Sequence, residues 1–119
     1  MRCLFAAAMA AFLLAPGVAQ AGEYAPLNCG KAKSPAEKTI CGSYALGQDE
    51  ARMATLYAIA TSLVAMGQRG DMQGAQRDWL QTRENCGDRA GCLSTAYAMR
   101  IKDLNETIAA IASRGRRDR

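Results

Sequence analysis

Apolar residues recur along this chain at spacings of three and four rather than two. Leu93, Tyr97, Ile101, Leu104, Ile108 and Ile111 form nearly a heptad seam, which predicts a helix over about residues 91–113. Met53, Leu56, Tyr57, Ala60, Leu63 and Val64 fall on one face of a second helix, over about residues 48–66. Asp49 and Glu50 sit in its first turn, where the helix dipole favours negative charge, and Gly67-Gln68-Arg69-Gly70 reads as its end. Between these two, Met72, Ala75, Trp79, Leu80 and Cys86 make the inward stripe of a helix over about residues 71–85, and Gly87 suits a closing position with positive φ. Ser34-Pro35-Ala36-Glu37 is a helix start, with a Ser N-cap, Pro at the first helical position and Glu at the capping-box position. The short helix it opens carries Ile40 and Cys41 and stops near Gly42-Ser43, and residues 22–27 before it read as an extended lead-in held by Pro26. Nothing alternates with period two for long enough to be a strand, and no repeat or low-complexity tract is present. The prediction is all-α: one short helix and three longer ones, joined by loops short enough to make neighbours antiparallel.

The first 21 residues do not belong to that bundle. Arg2 supplies a positive start, residues 3–15 are an Ala/Leu/Phe-rich apolar run, and Pro16-Gly17 break it. Ala19-Gln20-Ala21 then offers the small-x-small pattern of a signal cleavage site, so the mature chain is expected to begin at Gly22. The run is shorter than the roughly 20 apolar residues of a spanning helix, and no basic cluster follows it. Neither Cys3 nor Cys29 sits in a lipoprotein context, so no stable membrane anchor is expected. The expected division is a signal peptide over 1–21, a helical domain over 22–113 and a basic tail over 114–119.

Five cysteines then change the picture, because Cys3 leaves with the signal and Cys29, Cys41, Cys86 and Cys92 remain. An even set in an exported domain of this size reads as disulfides, which a small core needs as staples. Cys86 and Cys92 bracket one tight turn between helices, and a five-residue loop plus two helical turns can return Cys41 to Cys29. Of the three possible pairings, Cys29–Cys41 and Cys86–Cys92 are therefore predicted. Disulfides place the chain in the periplasm or outside the cell. The chain's net charge of +4 falls to +3 with the loss of Arg2, and the excess is partly concentrated in Arg114, Arg116, Arg117 and Arg119. That tail reads as a solvated end, and export puts nucleic acid out of reach.

The mature chain resembles the lysozyme inhibitor LprI-like family, a small exported helical module. The resemblance runs through Cys29, Glu37, Ile40, Cys41 and Tyr57, then the block Gln76, Arg77, Trp79, Leu80, Arg83 and Cys86. It ends in Cys92, Leu93, Tyr97, Arg100, Ile101 and Leu104, so it covers residues 29–104. One departure concerns the second helix, where the family's Leu-Asp is replaced by Asp49-Glu50 ahead of Met53: the acidic position survives as Glu50 and an apolar contact is lost. The resemblance implies a protein partner, a lysozyme or another muramidase, and inhibition of that enzyme.

Candidate chemistry is narrow. The chain has no histidine, which removes histidine triads, general bases and metal ligands. The cysteine pairs, with eleven and five residues between them, lack the close spacing of zinc sites, and no phosphate loop or nucleotide fingerprint is present. No catalytic residue, cofactor or metal is expected, and the reading is a protein that is not an enzyme. Asp49/Glu50, Asp78/Glu84 and Asp103/Glu106 read as solvated charges beside basic partners rather than as a glycosidase pair. Asn105-Glu106-Thr107 fits a glycosylation sequon but lies on a helix and reads as chance. Trp79 is expected as the central core residue. Arg77, Arg83 and Arg100 suit either an exposed ridge for a partner's carboxylates or stems laid on the aromatic rings and paired with Glu50 or Glu84, the second being favoured.

Two function classes follow. An inhibitor needs a rigid loop aimed at a cleft whose catalytic groups are carboxylates, and an inserted Lys or Arg would pair with them. The cysteine-pinned loops at residues 30–34 and 87–91 are small, polar and basic-tipped, which makes Lys31, Lys33 and Arg89 the candidate partner contacts. The alternative is a non-enzymatic structural or assembly partner in the envelope that uses its helical faces.

Overall fold

The computed structural model describes residues 26–119; the expected signal segment, its cleavage point at Ala21/Gly22 and residues 22–25 of the lead-in lie outside the described residues. A 3-10 turn at Cys29–Lys31 leads to four α-helices: α1 (Pro35–Cys41), α2 (Tyr44–Ser62), α3 (Met66–Asn85) and α4 (Ala90–Arg117). No strand occurs among the described residues. The fold is thus a small helical bundle with two disulfides, Cys29–Cys41 and Cys86–Cys92, whose Cα atoms stand 5.6 and 5.5 Å apart.

Local chemistry explains three of the helix boundaries. At the start of α1 the Ser34 hydroxyl accepts from the Glu37 amide at 3.0 Å, while the Glu37 carboxylate accepts from the Ser34 amide at 3.2 Å. This reciprocal box satisfies two of the donors that a helix start leaves open. Ser43 supplies the first half of this device alone, its hydroxyl accepting from the Leu46 amide, and α2 opens four residues earlier than the apolar stripe suggests. Gly87 takes φ +58°, the left-handed conformation that ends α3 and that glycine adopts without a side-chain clash.

The expected break at residues 67–70 is not a break. α2 ends at Ser62, and Gly67-Gln68-Arg69-Gly70 form the opening of α3, which has no side-chain cap. A glycine costs a helix only about 1 kcal/mol against alanine, a deficit that tertiary bonding offsets. Here the Arg69 Nε donates to the Thr61 carbonyl at 3.0 Å, satisfying an acceptor at the end of α2 and fastening the two helices together. At the other end of the chain α4 continues through Arg117, so residues 114–117 of the expected tail are its last turn.

Side-chain bridges give the topology. Arg69, Gln76 and Arg83 of α3 reach Thr61, Met53 and Glu50 of α2, so those helices are antiparallel. Gln76 and Trp79 of α3 meet Arg100 and Ala96 of α4, again antiparallel, which leaves α2 and α4 running the same way. α2 and α4 share the broadest contact, and α1 touches α2, α3 and α4. Ile40, Leu46, Met53, Tyr57, Leu93, Tyr97 and Leu104 are buried between them. Tyr97, not Trp79, is the largest fully buried side chain; Trp79 is half-buried at the margin of the core. Its ring meets Tyr97 edge-on at 5.2 Å and its indole N–H donates to the Ala96 carbonyl at 3.0 Å, the partner that a partly buried indole requires.

Candidate functional site

The inward face of α3 is polar, and this is where the fold differs most from its apolar pattern. The fully buried residues of α3 are Gln76 and Arg83, whereas Ala75 is exposed and Leu80 half-buried. Gln76 donates from Nε2 to the Met53 sulfur at 3.2 Å and accepts from Arg100 Nε at 2.9 Å. Burial lowers the Arg100 pKa, because it penalises the charged form.

Glu50 is the second buried node. Its carboxylate accepts from the Tyr97 hydroxyl at 2.5 Å, from Arg83 Nη1 at 3.4 Å and from the Leu27 amide at 3.0 Å. It therefore ties α2 to α4, to α3 and to the segment ahead of α1, and it is not the solvated charge that its place in a first turn suggests. Arg83 also holds Glu84 through Nη2 at 3.0 Å and lies over the Trp79 ring, 5.9 Å from its centroid. Burial, then the neighbouring Glu50, raises the Tyr97 pKa, so the phenol stays protonated. Arg83 thus faces inward and pairs with Glu50 and Glu84, as the favoured reading expects; Arg100 is buried as well but bonds Gln76 rather than a carboxylate, and Arg77 is exposed. A stripe of Arg69, Met72, Gln76, Trp79, Arg83 and Cys86 at alternating spacings of three and four carried this information, hidden because half its members are polar.

Buried and mutually bonded, these groups hold the scaffold, and the accessible candidates lie on the loops. Lys31 and Lys33 are both exposed, Lys31 closing the 3-10 turn and Lys33 in the link from it to α1. Their turn is held by the Cys29–Cys41 disulfide, by the Asn28 side chain accepting from the Gly30 amide at 3.0 Å, and by Glu37 accepting from the Lys33 amide at 2.7 Å. Those amides of Lys33 and Ser34 hold the Glu37 carboxyl below its ordinary pKa. Lys31 borders a cleft of about 250 Å³ with Leu80 and Arg83, and a larger one of about 560 Å³ lies beside the disulfide among Leu27, Ile40, Tyr44 and Glu50.

Arg89 behaves differently. Its guanidinium folds back on the end of α3, donating from Nε to the Cys86 carbonyl and from Nη2 to the Asn85 carbonyl, both at 3.0 Å. It acts as a cationic cap on a helix C-terminus, where the dipole is negative. Because Lys31 shares its cleft with Arg83, one turn before Cys86, the two disulfide loops lie at the same end of the bundle. None of the three basic candidates enters an ion pair among the described residues, and Arg89 is the one engaged by backbone carbonyls. Comparison with known proteins finds no matching family model, curated protein or solved structure.

Proposed function

We propose that this chain is an exported binding protein, periplasmic or secreted, that inhibits a lysozyme or another peptidoglycan-cleaving enzyme without catalysing a reaction itself. The observation that carries this is the Lys31/Lys33 turn, exposed yet fixed by a disulfide and three hydrogen-bonded side chains. A turn already held in its bound shape loses little entropy on docking, the main requirement for a small inhibitor. A lysine entering a cleft with two carboxylates gains charge-assisted hydrogen bonds there. The resemblance of residues 29–104 to the LprI-like pattern points the same way, and two disulfides suit an oxidising compartment. No helix among the described residues is long and apolar enough to cross a membrane.

The test is lysis of a peptidoglycan suspension by several lysozyme types, with and without the purified oxidised protein. Inhibition of at least one type at near-stoichiometric ratio is expected, and none at a large molar excess would overturn the reading. A structural or assembly role in the envelope is the second reading, favoured by Tyr44 and Met99, which stand 85% and 65% exposed on helices. A pull-down from envelope extract distinguishes the two by what is retained.

A further inference from the structure

The end of the bundle opposite the disulfide loops carries a second unexplained surface. Ile59 and Leu63 are one helical turn apart and Met66 follows at the α2–α3 turn; they are 43%, 51% and 85% exposed. Since Gln76 and Arg100 pair across antiparallel helices, Met66 lies about 15 Å from that pair and Arg114 about 21 Å from it, in the same direction. The last turn of α4 therefore reaches the level of this apolar tip and passes it. It brings Arg114, Arg116 and Arg117, with Arg119 beyond, all exposed. With Arg69, five arginines stand at this end against Asp71 and Asp118.

We propose that this end is a reversible docking surface for an anionic phospholipid bilayer. Leu63, Met66 and Ile59 enter the interfacial layer while the α4 arginines meet lipid phosphates. The charge excludes a second copy docking by the same end, because the two arginine clusters would face each other. A soluble polyanion would use the arginines but gives no role to a methionine and a leucine held out in water beside them. The proposal does not depend on the inhibitor reading, since it involves neither Lys31 nor Lys33.

Co-sedimentation with vesicles tests it, comparing phosphatidylglycerol/phosphatidylcholine mixtures with phosphatidylcholine alone. Binding is expected to the anionic vesicles only, and to weaken as added salt shortens the Debye length from about 10 Å at 0.1 M. Replacing Arg114, Arg116, Arg117 and Arg119 with Ser is expected to weaken it at least tenfold, given about fivefold for each arginine near an anionic surface. Leu63→Ser with Met66→Ser is expected to weaken it as well, at unchanged helicity because both side chains are already exposed. Lys31→Ser with Lys33→Ser is expected to leave it intact. Equal binding to both vesicle types, or binding that survives either the arginine or the Leu63/Met66 replacements, would overturn the proposal. So would loss of binding with the lysines instead, or binding to dextran sulfate as tight as to vesicles and indifferent to Leu63 and Met66.

Discussion

Glu50 accepts hydrogen bonds from three parts of the chain that folding must bring together: Leu27, Arg83 and Tyr97. A carboxylate only 5% exposed is tolerable because these partners replace its lost water. Glu50→Gln keeps the shape but leaves Arg83 to the partly exposed Glu84 as counter-ion and takes the carboxylate charge out of three hydrogen bonds, which together should cost about 3 kcal/mol. The midpoint of thermal unfolding should then fall by at least about 10 °C for a domain of this size, and an unchanged midpoint would contradict the account. Tyr97 adds a pH dependence. Its folded pKa lies above the unfolded value, so its contribution is complete below pH 10 and is lost as pH rises further. Wild-type stability should therefore drop above pH 10 more steeply than that of Tyr97→Phe, as followed by denaturant titration. Little of this node was legible from periodicity. The pattern of apolar residues places Tyr97 and Met53 inward correctly but assigns Trp79 to the centre and leaves Glu50, Gln76 and Arg100 outside it. Buried polar residues carry no hydropathy signal; only their bonding across helices shows which way they face.

At the scale of elements, the sequence is most informative where one residue type performs a single stereochemical task. Ser34, Pro35 and Glu37 mark the start of α1, Gly87 marks the end of α3, and short cysteine spacings mark the two loops. The α2–α3 boundary was illegible because Gly67 and Gly70 look like a stop, while the real turn at residues 63–65 contains neither Gly nor Pro. Ser34→Ala should destabilise the fold by about 1 kcal/mol, measured by denaturant titration. The Glu37 half of the box has a folded pKa below the unfolded one, so its contribution is present above that unfolded value near 4.5. It is lost as pH falls through the folded pKa, so Glu37→Gln should cost less at pH 3 than at pH 7, whereas Ser34→Ala, which removes a neutral hydroxyl and keeps the residue-34 amide, should cost about the same at both. Replacing Cys86 and Cys92 together with Ser opens a short loop and should cost about 2 kcal/mol in the chain-entropy model. Reduction of wild-type protein should reproduce that loss and add roughly 3 kcal/mol for Cys29–Cys41, which closes the longer loop.

The whole molecule is polarised along its long helices. One end gathers both disulfides, the fixed Lys31/Lys33 turn and the capped end of α3. The other gathers the α2–α3 turn and the arginines of α4. Between them, Glu50 and Gln76 bond α2, α3 and α4 to one another, so the loop end is held by a scaffold that resists local opening. The chain's net charge of +4 gives no long-range attraction to a basic lysozyme, so under the proposed function the burden of recognition falls on that turn. Inhibition constants for the wild-type and Lys31→Glu/Lys33→Glu proteins against a susceptible lysozyme test this most directly, with melting temperatures measured alongside. Both lysines are exposed and outside the core, so the melting temperature should be unchanged while inhibition weakens at least about a hundredfold, the equivalent of two charge-assisted contacts. Full inhibition by the charge-reversed protein would contradict it.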